Sequence, residues 1–181
     1  MPALNIPGSF NIKNALAARA VGRFLGISDS VIDKGLKHTK LAFGRNETFR
    51  TDRGTVTLCL AKNPEGFRVL NEWLVKERSS DFKGFIFAAE YYKDRAWLLK
   101  NDYKDISSLF RPVYITGRCE ETLAEQIRLS GGMPKTIPME DVVPTVDGIE
   151  GDTLIIADYY AMLAVRKEFA DKGYVEEYWK V

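Results

Sequence analysis

The sequence has few of the residues that hold metals or cross-link a chain. It contains one histidine, His38, and two cysteines, Cys59 and Cys119, among 181 residues. Two distant cysteines make neither a disulfide framework nor a zinc ligand set, and a single histidine argues against a histidine-based metal site. We therefore predict no metal centre and no Ser-His-Asp or Cys-His catalytic set, and we interpret His38 as a solvated residue at a helix end.

Long apolar runs and an excess of one charge are also missing. The formal net charge is +1, from 26 basic and 25 acidic side chains, which gives no electrostatic reason to bind nucleic acid or an acidic membrane surface. No apolar run reaches the roughly 18 residues of a membrane helix, and no signal peptide is recognisable. These observations predict a cytoplasmic protein without a membrane-spanning segment and without a nucleic-acid partner.

The common nucleotide-binding signatures are absent. The sequence contains neither GxxxxGKS nor GxxxxGKT, and no GxGxxG follows a predicted strand. Without a phosphate-cradling loop, the β- and γ-phosphates of a nucleotide have no recognisable binding site. We therefore expect no ATPase activity and no cofactor for the chain alone, and at best weak binding of a nucleotide.

Hydrophobic periodicity predicts two helices in the first 40 residues. Apolar side chains recur every four positions in residues 10–26, as in an amphipathic helix that ends at Gly26. They are Ile12, Leu16, Ala20 and Phe24. A second, shorter helix is predicted in residues 27–39, with Ser28 or Ser30 as its cap. Its inward side chains would be Val31, Ile32 and Leu36.

Beyond residue 40 the pattern changes to short strands that alternate with helices. A hairpin is predicted at 47–61 around a turn at 52–54. Further strands are predicted at 82–92, 111–117, 135–139 and 152–159, and helices at 63–80, 118–132 and 159–174. This alternation predicts an α/β fold, with a mostly parallel sheet and helices on both faces, preceded by a short two-helix segment. Residues 94–109 are interpreted as a surface segment that Trp97 anchors.

Three polar residues in the first quarter of the chain are candidates for nucleotide contacts. Asn11 and Asn14 lie three apart at the start of the first predicted helix. Either Asn11 caps that helix, or both amides read an adenine edge. Arg45, in the sequence FGRNE, either belongs to a plain turn with an ion pair, or binds phosphate or ribose oxygens beside a sharp turn at Gly44.

Two predicted strand-to-helix turns are candidates for a substrate or phosphate region. They read AKNPEGF at 61–67 and ITGRCEE at 115–121. Parallel sheets bind ligands at the carboxyl ends of their strands, and free N–H groups at a helix start bind anions. This interpretation assigns Lys62, Asn63 and Arg118 to the site. The alternative is plain turn chemistry, in which Asn63 caps a helix whose first residue is Pro64.

Several stretches, in this order, resemble one family. They are GSFNIKNALAARAVGRFLGI, FGRNETF, LAKNPEGFRVL, YITGR and YYAMLAVRKEFADKGYVEEYWK. From about residue 7 onward the chain resembles the C-terminal portion of the MurT family, the Mur-ligase-like subunits of lipid II isoglutaminyl synthase in the Mur ligase superfamily. The resemblance implies that residues 1–40 are the helical tail of a central ATPase domain and that residues 41–181 are a Rossmann-like C-terminal α/β domain. It also implies that Asn11 and Asn14 lie on the adenine side and Arg45 at the nucleotide phosphate or ribose, and it places Lys62 and Asn63 near the acceptor.

The activity that the resemblance implies is amidation of the D-glutamate α-carboxyl of lipid II. ATP and Mg²⁺ would serve that reaction only in a complete ligase, with ammonia from a GatD-like glutaminase and with an ATPase domain that a separate chain could supply. The family also lends its glutaminase an aspartate from a motif close to W-x-W-D-x-D-F-E. Here Lys100 stands at the first acidic position, so Asp102 becomes the predicted catalytic residue. The chain could instead be a stand-alone, non-catalytic module that binds a glutaminase or a nucleotide, or a fragment of another Mur-superfamily ligase.

Overall fold

The structure is a computed structural model that describes residues 9–39, 44–78, 81–90 and 92–177. The chain divides after residue 42 into two compact units, which are described separately. The first unit contains two helices, α1 (Ser9–Phe24) and α2 (Asp29–His38). A turn at Gly26, with φ +77°, follows α1, and Ser28 stands at the cap position of α2 without a side-chain hydrogen bond. Both predicted helices are therefore confirmed.

The two helices of the first unit touch through small side chains. Ile32 and Ala15 are buried, and a Cβ at Gly22 would lie 2.8 Å from Ile32 Cδ1, so the glycine allows this close approach. The prediction of an inward apolar stripe in α1 is wrong, because all four of its residues are exposed: Ile12, Leu16 at 53%, Ala20 and Phe24 at 90%. It is also wrong for Val31 in α2, because so narrow a contact covers only one or two side chains of each helix.

The second unit is built on a six-stranded sheet in the order β1-β2-β6-β3-β4-β5. Its strands are β1 (Arg45–Arg50), β2 (Thr55–Leu60), β3 (Phe82–Ala88), β4 (Val113–Thr116), β5 (Pro134–Thr136) and β6 (Asp152–Ala157). The edge strand β1 pairs antiparallel with β2, and every other pairing is parallel. The α/β fold with a mostly parallel sheet is therefore confirmed.

Helices cover both faces of this sheet. They are α3 (Pro64–Trp73), α4 (Lys104–Leu109), α5 (Glu120–Leu129), α6 (Val142–Asp147) and α7 (Tyr159–Asp171). Side chains alternate along β3, so that Phe85 and Phe87 face the core under α3, α4 and α5, while Ile86 faces the core under α6 and α7. Within the described residues, no helix combines the length and apolar character that crossing a membrane requires.

Three local features differ from the prediction. The helix expected over 63–80 ends its α-helical part at Trp73 and continues as one π-helical turn, Leu74–Arg78. The sequence analysis missed α6, a six-residue helix that contains a proline and is too short to show a period. The predicted surface segment 94–109 is largely a 3-10 helix, Tyr92–Lys100, followed by α4. It packs into the core through Trp97, Leu98, Tyr103 and Ile106.

Candidate functional site at the carboxyl edge of the sheet

The carboxyl ends of the five parallel strands meet at one edge of the sheet. Because β1 is antiparallel, its first residue also lies at this edge, where Arg45 pairs with Cys59 near the end of β2. Lys62 and Asn63 follow β2 after one intervening residue, Ala61. The structure therefore places Arg45, Lys62 and Asn63 at the same edge of the sheet. Arg118 follows β4, three strand spacings from β2 or roughly 14 Å away, at the other end of the same edge.

The junction before β1 is held by buried charges. Glu47 Oε2 accepts a hydrogen bond from the backbone N–H of Gly44 at 2.7 Å. Both carboxylate oxygens of Glu47 accept from Arg166 Nε at 3.1 Å, and the two side chains are only 18% and 5% exposed. The ion-pair interpretation of the FGRNE turn is thus right for Glu47, while Phe43 lies outside the described residues. Arg45 itself is exposed.

The backbone on either side of Arg45 adopts left-handed conformations. Gly44 has φ +68°, and a Cβ there would collide with Met162 Sδ. Asn46 has φ +60° although it is not a glycine, and a β-bulge separates Arg45 from Glu47. The Asn46 side chain accepts a hydrogen bond from the Cys59 thiol at 3.0 Å. Burial raises the pKa of Cys59 to about 12, so the thiol keeps its proton and remains a donor at neutral pH.

The turn after β2 follows ordinary capping chemistry. Asn63 Oδ1 accepts a hydrogen bond from the backbone N–H of Gly66 at 2.8 Å, and Pro64 is the first residue of α3. The capping interpretation of Asn63 is therefore confirmed. Lys62 lies one residue before the cap and is exposed. The side chain of Asn63 is therefore occupied by the helix cap, whereas capping does not involve the side chain of Lys62.

The turn after β4 differs from its prediction. Two backbone N–H groups that were expected to be available to an anion are used within the fold, because Cys119 donates to the Ala89 carbonyl and Glu120 to the Gly117 carbonyl, both at 3.0 Å. Gly117 has φ +94°, and a Cβ there would collide with the same Ala89 carbonyl. Arg118 Nε lies 3.3 Å from Glu90 Oε2. The anion interpretation is wrong for these two N–H groups, and Arg118 belongs to an exposed ion pair.

The sequence analysis missed Asp158, which directly follows β6. Asp158 is 3% exposed and accepts two backbone hydrogen bonds, from Ala161 at 2.9 Å and from Glu90 at 2.8 Å. It therefore caps α7 and fixes the chain that leaves β3. The sequence signal was available, because an aspartate between an apolar strand and a helix is a typical cap. The next residues, Tyr159 and Tyr160, are exposed at the same edge, with ring centroids 5.6 Å apart.

The predicted catalytic carboxylate lies in the segment between β3 and β4. Asp102 is exposed, and its Oδ1 accepts a hydrogen bond from the backbone N–H of Lys104 at 3.0 Å, at the start of α4. Trp97 is buried and anchors the segment as predicted. Tyr103 adds a second anchor through a hydrogen bond from its hydroxyl to the Leu98 carbonyl at 2.9 Å. Lys100 is exposed on the same segment.

The two candidate asparagines lie in the first unit. Because α1 already begins at Ser9, Asn11 is inside the first turn, and the interpretation of Asn11 as the helix cap is wrong. Asn14 Nδ2 lies 3.5 Å from Asn11 Oδ1, which is the outer limit of a hydrogen bond. Both amides therefore lie on the same side of α1, as their spacing predicted.

The sequence of the chain was compared with those of known proteins. No protein-family model matches the sequence. A curated relative, the lipid II isoglutaminyl synthase (glutamine-hydrolyzing) subunit MurT of Streptococcus pneumoniae, is 30% identical over 183 residues, or 96% of this chain and 41% of that subunit. The chain is similar to the C-terminal portion of MurT. The MurT subunit of Staphylococcus aureus strain COL is 27% identical over 88% of this chain and 38% of its own length.

Solved structures agree with this similarity at the level of the fold. A crystal structure of MurF from Acinetobacter baumannii superposes with a TM-score of 0.71 and 19% identity, over 93% of this chain and 38% of that one. The chain thus spans about two fifths of the length of the MurT relatives that it matches. The expected resemblance to MurT and the Rossmann-like fold are both confirmed.

Proposed function

We propose that this chain acts as the C-terminal part of a MurT-like amidotransferase subunit, in ATP-dependent amidation of the D-glutamate α-carboxyl of lipid II. The observation that carries the proposal is the similarity to a MurT subunit over 96% of the chain. The sequence contains no phosphate-cradling loop, so the proposed reaction needs an ATPase domain that provides one. A GatD-like glutaminase would supply the ammonia.

The division of the chain into two units supports a domain assignment. We assign residues 1–40 to the helical tail of a central ATPase domain and residues 41–181 to the C-terminal domain. The division after residue 42 lies within two residues of this boundary. The exposed apolar side chains of α1, with Phe24 at 90% exposure, suit a helix that packs against further protein.

In the complete ligase, three residues of this chain would contact the nucleotide. Bound ATP with Mg²⁺ would supply the phosphoryl group that activates the carboxylate. Arg45 offers an exposed guanidinium at the carboxyl edge, which suits a phosphate or ribose oxygen. Asn11 and Asn14 offer two amides on one side of α1, which suit the edge of an adenine. Lys62 would lie closer to the acceptor, as an exposed positive charge at the same edge of the sheet.

Support for a glutaminase partner would come from Asp102. A carboxylate that reaches the glutaminase histidine would orient its ring and stabilise its protonated form. Asp102 is exposed on a segment that Trp97 and Tyr103 hold rigid, and it exchanges its contact with the Lys104 N–H for solvent or a partner at modest cost. The neighbouring Lys100 opposes this role, because a positive charge near the imidazole disfavours the imidazolium.

A chimera tests the proposed activity. The C-terminal portion of the Streptococcus pneumoniae MurT would be replaced by this chain and combined with the glutaminase of that organism, and lipid II amidation would be measured. We expect amidation that Arg45→Gln lowers at least tenfold, with Lys167→Gln, an exposed change on α7, as the matched control. A folded chimera that hydrolyses ATP but never amidates lipid II would contradict the proposal.

The presence of Lys100 favours one alternative, a docking module that has lost its catalytic support of the glutaminase. Glutamine hydrolysis by the glutaminase separates the two candidates, measured with and without this chain. Stimulation that Asp102→Asn abolishes supports catalytic help from Asp102. Binding without stimulation, together with a gain of stimulation in Lys100→Asp, supports the docking module. If the chain activates neither glutaminase nor amidation but supports another carboxylate–amine ligation, it is part of a different Mur-superfamily ligase.

A further inference from the structure

We propose that Glu47 and Arg166 are positioning residues that hold Arg45 rigidly at the carboxyl edge of the sheet. The nucleotide contact of Arg45 rests on the proposed function, whereas the rigidity of the junction does not. A guanidinium on a mobile linker loses conformational entropy when it binds a ligand, and a pre-ordered backbone avoids part of that loss. The residues that surround Arg45 supply this order.

The first restraint is the carboxylate of Glu47. It accepts from the backbone N–H of Gly44 on one side and from the guanidinium of Arg166 on the other, so it closes a four-residue turn, residues 44–47, that contains Arg45. The pair is nearly excluded from water, with Arg166 5% exposed and Glu47 18% exposed. Charge-assisted hydrogen bonds of this kind are stronger than neutral ones and are weakened little by salt.

The second restraint is the backbone of Asn46. Asn46, at φ +60°, lies in the left-handed region that favours glycine, and contacts of its side chain help to hold it there. The Cys59 thiol holds the Asn46 side chain from β2, and the bulge interrupts the alternation of side chains between Arg45 and Glu47. As a result Arg45 stays exposed while Glu47 turns inward to Arg166.

The third restraint reaches the end of the described chain. Arg166 Nη1 donates to the Glu176 carbonyl at 2.7 Å. One guanidinium in α7 therefore joins the junction before β1, the last helix and the segment that follows this helix. Loss of the pair should release the junction while the sheet and its two cores stay intact, because Glu47 lies in the edge strand β1, which pairs with one neighbour only.

Site-resolved proteolysis of the full chain tests this local effect. Trypsin cuts after arginine, and we expect the Arg45–Asn46 bond to be cut at least tenfold faster in Glu47→Gln and in Arg166→Gln, with less than a twofold change after Arg128 in α5. The double variant should be no faster than either single variant, because the two residues form one interaction. Lys167→Gln, which removes an exposed ion pair of α7, is the matched control and should change neither rate.

Nucleotide affinity gives the second readout, with ADP as the probe and binding followed by NMR shifts. We expect Glu47→Gln to weaken ADP binding about as much as Arg45→Gln does, and the two changes together to weaken it no further. Equal acceleration of cleavage after Arg45 and after Arg128 would show that the pair only stabilises the whole fold and would overturn the positioning role. If Arg45→Gln leaves ADP binding unchanged, the nucleotide role of Arg45 is overturned, while the cleavage pattern still decides whether the junction is held as proposed.

Discussion

The two units of this chain use apolar residues in opposite ways. The α/β unit places two aromatic and aliphatic cores on the two faces of one sheet, and residues such as Phe67, Phe85 and Phe169 are fully buried. The two-helix unit buries Ala15 and Ile32 and leaves Phe24 and Leu16 exposed. An apolar residue type therefore does not by itself predict burial, because the same residue type is buried in one unit and exposed in the other. A sheet with helices on both faces covers its own apolar residues, whereas two short helices do not.

Polar contacts show the same difference. In the α/β unit the Glu47–Arg166 pair is nearly excluded from water, and the buried Asp158 carboxylate accepts hydrogen bonds from two backbone N–H groups. In the two-helix unit the corresponding contacts are the more exposed pairs Arg19–Asp33 and Arg23–Asp29. Breaking a buried charged contact leaves an unpaired charge without water, while an exposed pair is replaced by hydration. Mutations of matched type should therefore have very different effects in the two units.

The largest expected difference comes from a matched pair of phenylalanines. Phe85 is fully buried and stacks on Phe110, while Phe24 is 90% exposed. We expect Phe85→Ala to lower the free energy of unfolding by about 3–5 kcal/mol and Phe24→Ala to change it by less than about 0.5 kcal/mol. Urea denaturation followed by far-UV circular dichroism measures both. A large loss for Phe24→Ala would show that this ring is covered in solution, by another copy of the chain for example.

A matched pair of arginines should give the next largest difference. Removing the charge in Arg166→Gln leaves Glu47 buried beside a weaker partner, and we expect the free energy of local opening at the junction of residues 44–47, measured by amide hydrogen exchange, to fall by about 3 kcal/mol while exchange in the sheet core stays unchanged. In Arg23→Gln the Asp29 carboxylate is hydrated instead, so no change of amide exchange in the two helices should be measurable. Salt sharpens the comparison, because 1 M NaCl should leave the effect of Arg166→Gln almost unchanged. Equal effects of the two substitutions would mean that water reaches the Glu47 pair.

The fold was largely predictable because its elements carry strong periods. The alternation of buried strands with amphipathic helices predicted a mostly parallel sheet, and Asn63-Pro64 predicted the start of α3. What could not be predicted depends on tertiary packing. No local pattern of Leu16 and Phe24 shows that α2 leaves both side chains exposed. Residues 94–109 were interpreted as surface because Trp97 is surrounded by charges, although Leu98, Tyr103 and Ile106 turn inward with it.

The candidate site was predictable in its position but not in its contacts. Parallel strands bring Lys62 and Asn63 to the edge where Arg45 begins β1, and this follows from topology alone. The Glu47–Arg166 pair joins residues 119 apart in sequence, so no local motif predicts it. The use of the Cys119 N–H within the fold could not be predicted for the same reason, since the Ala89 carbonyl that accepts from it follows a different strand.

Alkaline pH should destabilise the α/β unit through its buried thiol. Burial raises the pKa of Cys59 from 9.0 to about 12, so folding favours the protonated form. Its contribution is fully present below pH 9 and is lost as pH rises toward 12, at about 1.4 kcal/mol per pH unit. Tryptophan fluorescence follows this unit, because Trp73 and Trp97 are buried in its core. Between pH 9 and 12, Cys59→Ala should reduce the slope of the unfolding free energy against pH by the amount that one titrating group contributes, about 1.4 kcal/mol per pH unit. An unchanged slope would contradict the role of Cys59.

Acid pH should affect the two-helix unit, by the smallest of these effects. The hydrogen bond from Arg23 lowers the pKa of Asp29, and the charge of Arg19 lowers it further. The pair therefore stabilises the unit above the ordinary aspartate pKa of about 4, and that contribution is lost as pH falls through the lowered value. Carboxyl NMR titration should show Asp29 below the usual range, with a larger return toward it in Arg23→Gln than in Arg19→Gln. If Asp29 titrates normally in the wild type, the two helices are not held in this arrangement, and the contrast between the two units is greater than the structure indicates.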